Sequence, residues 1–83
     1  MDWAALPPLT ALRAFAAYAD TGSMTEAGAR LNVSHAAVSQ QIKALEDHLG
    51  LSLLDRARGG GALTPEGRVL AETAQEGFSA IAR

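Results

Sequence analysis

Few side chains in this sequence are of a type that does chemistry, and most of those are wrongly spaced for it. His35 and His48 stand far apart, and the chain has no Cys, so neither paired imidazole ligands nor a thiolate metal site is expected. Glu46 and Asp47 are adjacent, and neighbours on a helix point in different directions, which rules them out as a carboxylate pair for acid–base work. Ser, His and Asp all occur, but nothing places them as a triad. Gly59-Gly60-Gly61 lacks the following Lys-Ser/Thr of a phosphate-binding loop. No cofactor, no metal and no enzymatic activity are expected. What remains is a stripe of small, amide and basic residues: His35, Ala36, Ser39, Gln40, Lys43 and Asp47. Gln can bond adenine through two hydrogen bonds, Ser can bond several base edges, and Ala can meet a thymine methyl. An ordinary solvated helix face has the same composition, so the elements carrying the stripe must decide between the two.

Those elements can be read from punctuation and period. Pro7-Pro8 opens a first helix, in which Leu9, Leu12, Phe15, Ala16 and Ala19 recur at spacings of three and four. Gly22 stops it. Ser23 followed by Glu26 is a capping box, so a short second helix begins there. Leu31-Asn32-Val33-Ser34 reads as a turn, with Ser34 as N-cap of a third helix that ends at Gly50. Val38, Ile42, Leu45 and Leu49 form its apolar face, and the stripe above is its other face. Leu51 to Leu54 and Ala62-Leu63 flank a Gly-rich tip and suggest a small β-hairpin. Thr64-Pro65-Glu66 starts a last helix with N-cap, proline and acid in order. Leu70, Ala74, Gly77 and Ile81, with Phe78 beside them, form a seam along it. The order is helix, short helix, helix, hairpin, helix, which is a helix-turn-helix with a wing.

Composition agrees with a mainly α domain. Hydrophobic residues make up 48% of the 83 residues and charged residues 19%, so one small core is possible. Ala and Leu far outnumber Val and Ile, which favours helix. The N-terminus has no basic region followed by an apolar run, and no stretch is long enough to span a membrane. A cytoplasmic protein without membrane contact is the expectation. The net charge of −2 is unusual for a nucleic-acid binder. Read by position, residues 27–45 carry Arg30 and Lys43 and no acid, and residues 56–65 carry Arg56 and Arg58 and no acid. Both stretches are therefore expected to be locally basic.

Leu12 to Phe15, Thr21-Gly22-Ser23-Met24-Thr25, Ala27, Arg30-Leu31, Val33-Ser34, Ala37-Val38-Ser39, Gln41-Ile42, Leu45-Glu46, Leu49-Gly50, Leu53-Leu54, Arg56 and Leu63-Thr64-Pro65-Glu66-Gly67 together resemble the N-terminal DNA-binding domain of LysR-type transcriptional regulators. The likeness runs from about residue 9 to residue 70. Four departures stand out: Met24 where Phe is usual, Gly28 where Ala is usual, Gln40 where Arg is frequent, and a wing with Leu54 for Phe and glycines at its tip.

The resemblance implies a winged helix-turn-helix with a three-helix core, a hairpin wing and a C-terminal linker helix. Residues 1–64 would be the DNA-binding domain and residues 65–83 the start of the linker, with the effector domain absent and no small-molecule ligand in this fragment. Sequence-specific binding of double-stranded DNA would place helix 34–49 in the major groove and wing 51–63 at the minor groove. The DNA-contacting candidates are Thr25, Ser34, His35, Ala36, Ala37, Ser39, Gln40, Lys43, Arg56 and Arg58. For Thr25 and Ser34 both helix capping and phosphate contact are open, and for Arg56 both a DNA contact and pairing to a local acid. A homodimer would form through Leu70, Ala74, Gly77, Phe78 and Ile81. The competing class is a helical protein–protein interaction module that uses the same fold without DNA.

Overall fold

The computed structural model describes residues 1–58 and 61–83, without the side chain of Arg58. The chain divides into two units, Met1–Gly50 and Leu51–Arg83, each built on its own logic.

The first unit holds three helices: α1 (Leu9–Thr21), α2 (Met24–Leu31) and α3 (His35–Leu49). Their ends follow from single residues. Gly22 adopts φ 72° and gives its N–H to the Tyr18 carbonyl at 2.7 Å, closing α1. Ser23 Oγ accepts the Glu26 N–H at 3.1 Å and starts α2. The expected capping box is only half built, because the Ser23 N–H goes to Thr21 Oγ1 at 3.3 Å. Asn32 takes the left-handed conformation at φ 61°, which its short polar side chain tolerates. The Val33 N–H then reaches back to the Gly28 carbonyl at 2.9 Å and the Asn32 N–H to that of Ala29 at 3.4 Å. This crossed pair of bonds ends α2 and turns the chain sharply into α3. Ser34 Oγ accepts the Ala37 N–H at 3.1 Å as the α3 cap, and Gly50 closes that helix onto Glu46.

The core of this unit is Phe15, Val38, Ile42 and Leu45, all essentially without solvent contact, surrounded by Ala11, Ala14, Ala16, Tyr18 and Ala27. Full burial of each large apolar side chain contributes about 1.5–3 kcal/mol. The apolar stripe expected on α3 holds for Val38, Ile42 and Leu45, with Leu49 half-buried. On α1 the expected face holds at Phe15 and Ala16, with Leu12 and Ala19 half-buried. Leu9 is 61% exposed, while Ala11, Ala14 and Tyr18 are buried. Alanine lets the helices approach closely, so Ala11 and Ala14 join Phe15 and Tyr18 in the core.

In the second unit, β1 (Leu54–Asp55) pairs antiparallel with β2 (Ala62–Leu63), with Leu54 opposite Leu63 and Asp55 opposite Ala62. The wing expected over 51–63 is therefore a very short ladder. A 3-10 turn at Arg56–Arg58 leaves β1, pinned where the Ala57 N–H meets Asp55 Oδ1 at 3.2 Å. The glycine tip at Gly59 and Gly60 lies outside the described residues.

Helix α4 (Pro65–Ala82) follows β2 directly, and Thr64 ties its start to the segment just before β1. Its backbone N–H donates to the Leu53 carbonyl at 2.9 Å. Its hydroxyl donates to the Ser52 carbonyl at 2.7 Å and accepts the Gly67 N–H at 3.0 Å. Gly67 lies so close to the Leu53 carbonyl that no Cβ would fit there without displacing backbone. Among the described residues of this unit, Leu53, Leu54, Gly67 and Ala71 are buried.

Candidate nucleic-acid interface

The two helices needed for reading a duplex are both present, and the stripe picked out from the sequence is on the outside of the second. His35, Ala36, Ser39, Gln40 and Lys43 are all exposed, as is Ser34 ahead of them. Ala37 is half-buried and sits at the edge of the stripe. Helical spacing aligns Ala36, Gln40, Lys43 and Asp47 at steps of four, three and four. The buried side of the same helix, Val38, Ile42 and Leu45, is locked in the core, so the outer stripe has a fixed orientation. A capped start, a closed end and an anchored inner face are what a helix needs to present side chains to base edges.

Thr25 is exposed in the first turn of α2. Ser34 already satisfies one N–H of α3 with its own hydroxyl, so capping is established for it. The remaining free N–H groups of that first turn leave an anion-favouring end.

The cations need a correction. The sequence suggested that residues 27–45 are locally basic because they contain no acid. In the folded unit two acids from outside that stretch reach its two cations. Arg30 Nη1 pairs with Asp20 Oδ2 of α1 at 2.6 Å, and Lys43 Nζ pairs with Asp47 Oδ1 one turn along α3 at 3.3 Å. Both pairs are more than half exposed, so each is worth little in stability. They nonetheless cancel the formal +2.

In the second unit Arg56 is exposed and already holds an interaction within the protein. The Arg58 side chain lies outside the described residues. On α4, Leu70, Ala74 and Phe78 are half-buried, Gly77 is exposed with nothing against it, and Ile81 is 82% exposed. This is an apolar seam that the unit itself does not cover.

Sequence reasoning missed Glu46, which is buried although ionisable. Its position directly after Leu45 on the inner edge of α3 was the available signal. Among the described residues no three His, Cys, Asp or Glu side chains cluster as metal ligands, and no helix is long and apolar enough to cross a membrane.

A short helix, a tight turn, an anchored helix with an exposed polar stripe, and a hairpin running into a further helix define a winged helix-turn-helix DNA-binding domain. Residues 9–68 match the bacterial regulatory helix-turn-helix protein family named lysR. The chain belongs to that family and carries its DNA-binding helix-turn-helix domain.

Among curated relatives, the AhcY transcriptional activator HvrB of Rhodobacter capsulatus is 49% identical over 81 residues, covering 98% of this chain and 28% of that protein. The glycine cleavage system transcriptional activator of Escherichia coli K12 is 49% identical over 76 residues, covering 92% of this chain and 25% of that protein. The chain thus spans about a quarter of the length of these activators. Among solved structures, the BenM DNA-binding domain in complex with catB site 1 DNA superposes with TM-score 0.81 at 33% identity, over 90% of this chain and 84% of that one. The CbnR DNA-binding domain in its DNA complex gives TM-score 0.78 at 36% identity, over 92% and 87%.

Proposed function

We propose that α3 enters the major groove and reads bases through His35, Ala36, Ser39 and Gln40. Ala37 lies at the edge of that contact, and Lys43 swings from Asp47 to the DNA backbone. Thr25 and the first turn at Ser34 hold phosphates. Arg56 and Arg58 of the wing work at the minor groove, where arginine suits a narrow, electronegative channel. Residues 65–83 begin a linker helix whose seam of Leu70, Ala74, Gly77, Phe78 and Ile81 joins two copies. Such a two-fold pair would read the halves of an interrupted inverted repeat. The family resemblance implies a longer cytoplasmic regulator that joins this domain to one sensing a small molecule.

The observation that carries this reading is the exposed polar stripe on a helix whose opposite face is fully locked in the core. The test is selection of bound sites from random duplex DNA, followed by salt titration on the selected site. An enriched inverted repeat and an affinity that falls with rising salt are expected. Recovery of no preferred sequence, or binding indifferent to salt, would refute it.

A further inference from the structure

We propose that Arg13 of α1 is a further DNA-binding residue, its guanidinium holding a backbone phosphate beside the flank of α3. The proposal rests on the reading that α3 enters the major groove.

The Arg and Lys residues of the first unit are Arg13, Arg30 and Lys43. Arg30 is held by Asp20 and Lys43 by Asp47. Arg13 is exposed, and among the described residues no acid lies within ion-pair reach of it. Its surroundings explain this. One turn to either side on α1 stand Leu9, Thr10, Ala16 and Ala17, none of them acidic. Across from it are Ala37 and Gln41 of α3 and Val33 of the α2–α3 turn, which share with Arg13 a cleft that contains no carboxylate. At about 120 Å³ the cleft is smaller than a pocket for an organic ligand. Its free cation therefore serves a partner that lies across the surface.

The place of the cleft on α3 decides which partner that is. Ala37 and Gln41 each follow a residue of the reading stripe, Ala36 and Gln40, so they stand about 100° around the helix from it. A helix with its side chains is about 10–12 Å across, and the major groove is about 12 Å wide. A helix seated with Ala36 and Gln40 toward the base edges turns its flanks toward the two sugar–phosphate walls. The flank of Ala37 and Gln41 faces one wall, and Arg13 is the cation beside it. Guanidinium matches phosphate through two parallel hydrogen bonds. Such a contact fixes the register of α3 on the duplex and carries no base preference of its own.

The experiment compares the wild-type chain with Arg13→Gln, Arg13→Lys and Arg83→Gln on a duplex selected by the wild-type chain and on a scrambled one, over a salt series. Arg83→Gln makes the same change in net charge about 27 Å along α4 from the wing. Arg13→Gln should weaken both duplexes alike, about fivefold at low salt. It should also lower the slope of log affinity against log salt by about 0.9 for each half-site bound. Arg13→Lys should keep the slope and most of the affinity, and Arg83→Gln should change neither. Thermal unfolding should be the same in all four. A neutral methylphosphonate moved through the half-site should find one position that weakens the wild-type chain and has no further effect on Arg13→Gln. An unchanged slope in Arg13→Gln, with the wild-type chain still preferring its selected duplex, overturns the Arg13 assignment alone. So does a loss confined to the selected duplex, an equal loss in Arg13→Lys and Arg13→Gln, or the absence of any such methylphosphonate position. A wild-type chain that does not distinguish the two duplexes refutes the seating of α3 itself, and the role of Arg13 falls with it.

Discussion

Asp47→Asn should tighten DNA binding. Asp47 continues the line of Ala36, Gln40 and Lys43 along α3, so the proposed reading face ends in an acid that holds Lys43 Nζ at 3.3 Å. The pair is two-thirds exposed on both sides, and such an i, i+4 pair contributes only about 0.3–0.5 kcal/mol. Its order, cation before acid, is the weaker one for a helix. Removing the carboxylate should therefore leave the fold almost unchanged. Binding is another matter, because phosphate charge lies along this face. A carboxylate about 7 Å from one phosphate is repelled by about 0.6 kcal/mol in water. Release of Lys43 from its partner adds about 0.5 kcal/mol. Together these give about sixfold tighter binding at low salt. Screening with a length of about 8 Å should reduce the gain to about threefold at physiological ionic strength. Fluorescence anisotropy with a labelled duplex over a salt series measures both values. Glu72→Gln, an equal change of net charge on α4, is the control and should give a smaller gain. Equal or weaker binding by Asp47→Asn at low salt would refute the argument, as would a gain that does not decline with salt.

Gln40→Ala should redistribute base preference at one position of a selected site, by about 1–3 kcal/mol, whereas Arg56→Ala should weaken all duplexes nearly alike; competition among single-base variants separates the two. Thr64→Val removes both the cap on Gly67 and the bond to the Ser52 carbonyl, a loss of about 2 kcal/mol. Denaturant unfolding should show it, and Thr64→Ser should recover most of it. Ile81→Glu, at an exposed seam position, should leave unfolding unchanged yet shift sedimentation toward monomer and weaken binding to a duplex with two half-sites.

How much of this was legible in advance depended on whether the signal was local. Caps and stops are local chemistry, so Ser23, Ser34, Thr64, Gly22 and Gly50 each appear where the sequence put them. The α3 core face was legible because Val38, Ile42 and Leu45 are large and evenly spaced. The α1 face was legible at Phe15 and Ala16 but not at Ala11 and Ala14, because an alanine in sequence does not say whether it is buried or merely helix-forming. Gly28 was legible as a departure from the family pattern, and close packing against the third helix was its natural reading. The Val33 carbonyl oxygen lies 2.6 Å from where a Cβ on that glycine would stand, which gives that reading its physical content. The ion pairs were least legible. Asp20 meets Arg30 only because the α1–α2 turn brings two helices side by side, and no window of sequence contains that fact.

The ion pairs also change what the net charge of −2 means. Counting along the chain made the helix-turn-helix basic, but folding returns it to near neutrality at Arg30 and Lys43. Arg56 is likewise already engaged within the protein. A helix-turn-helix whose Arg30 and Lys43 are both held in ion pairs draws less from counterion release, whose yield scales with the phosphates neutralised. Its affinity must come instead from short-range contacts along α3 and from pairing two such domains on one duplex. Pairing multiplies weak half-site contacts through effective concentration without adding charge. A near-neutral face thereby favours selectivity: random DNA offers phosphates everywhere but correctly spaced half-sites rarely. On this view the acid at Asp47 suppresses non-specific binding, and the tighter binding expected of Asp47→Asn should come with a lower ratio of specific to non-specific affinity.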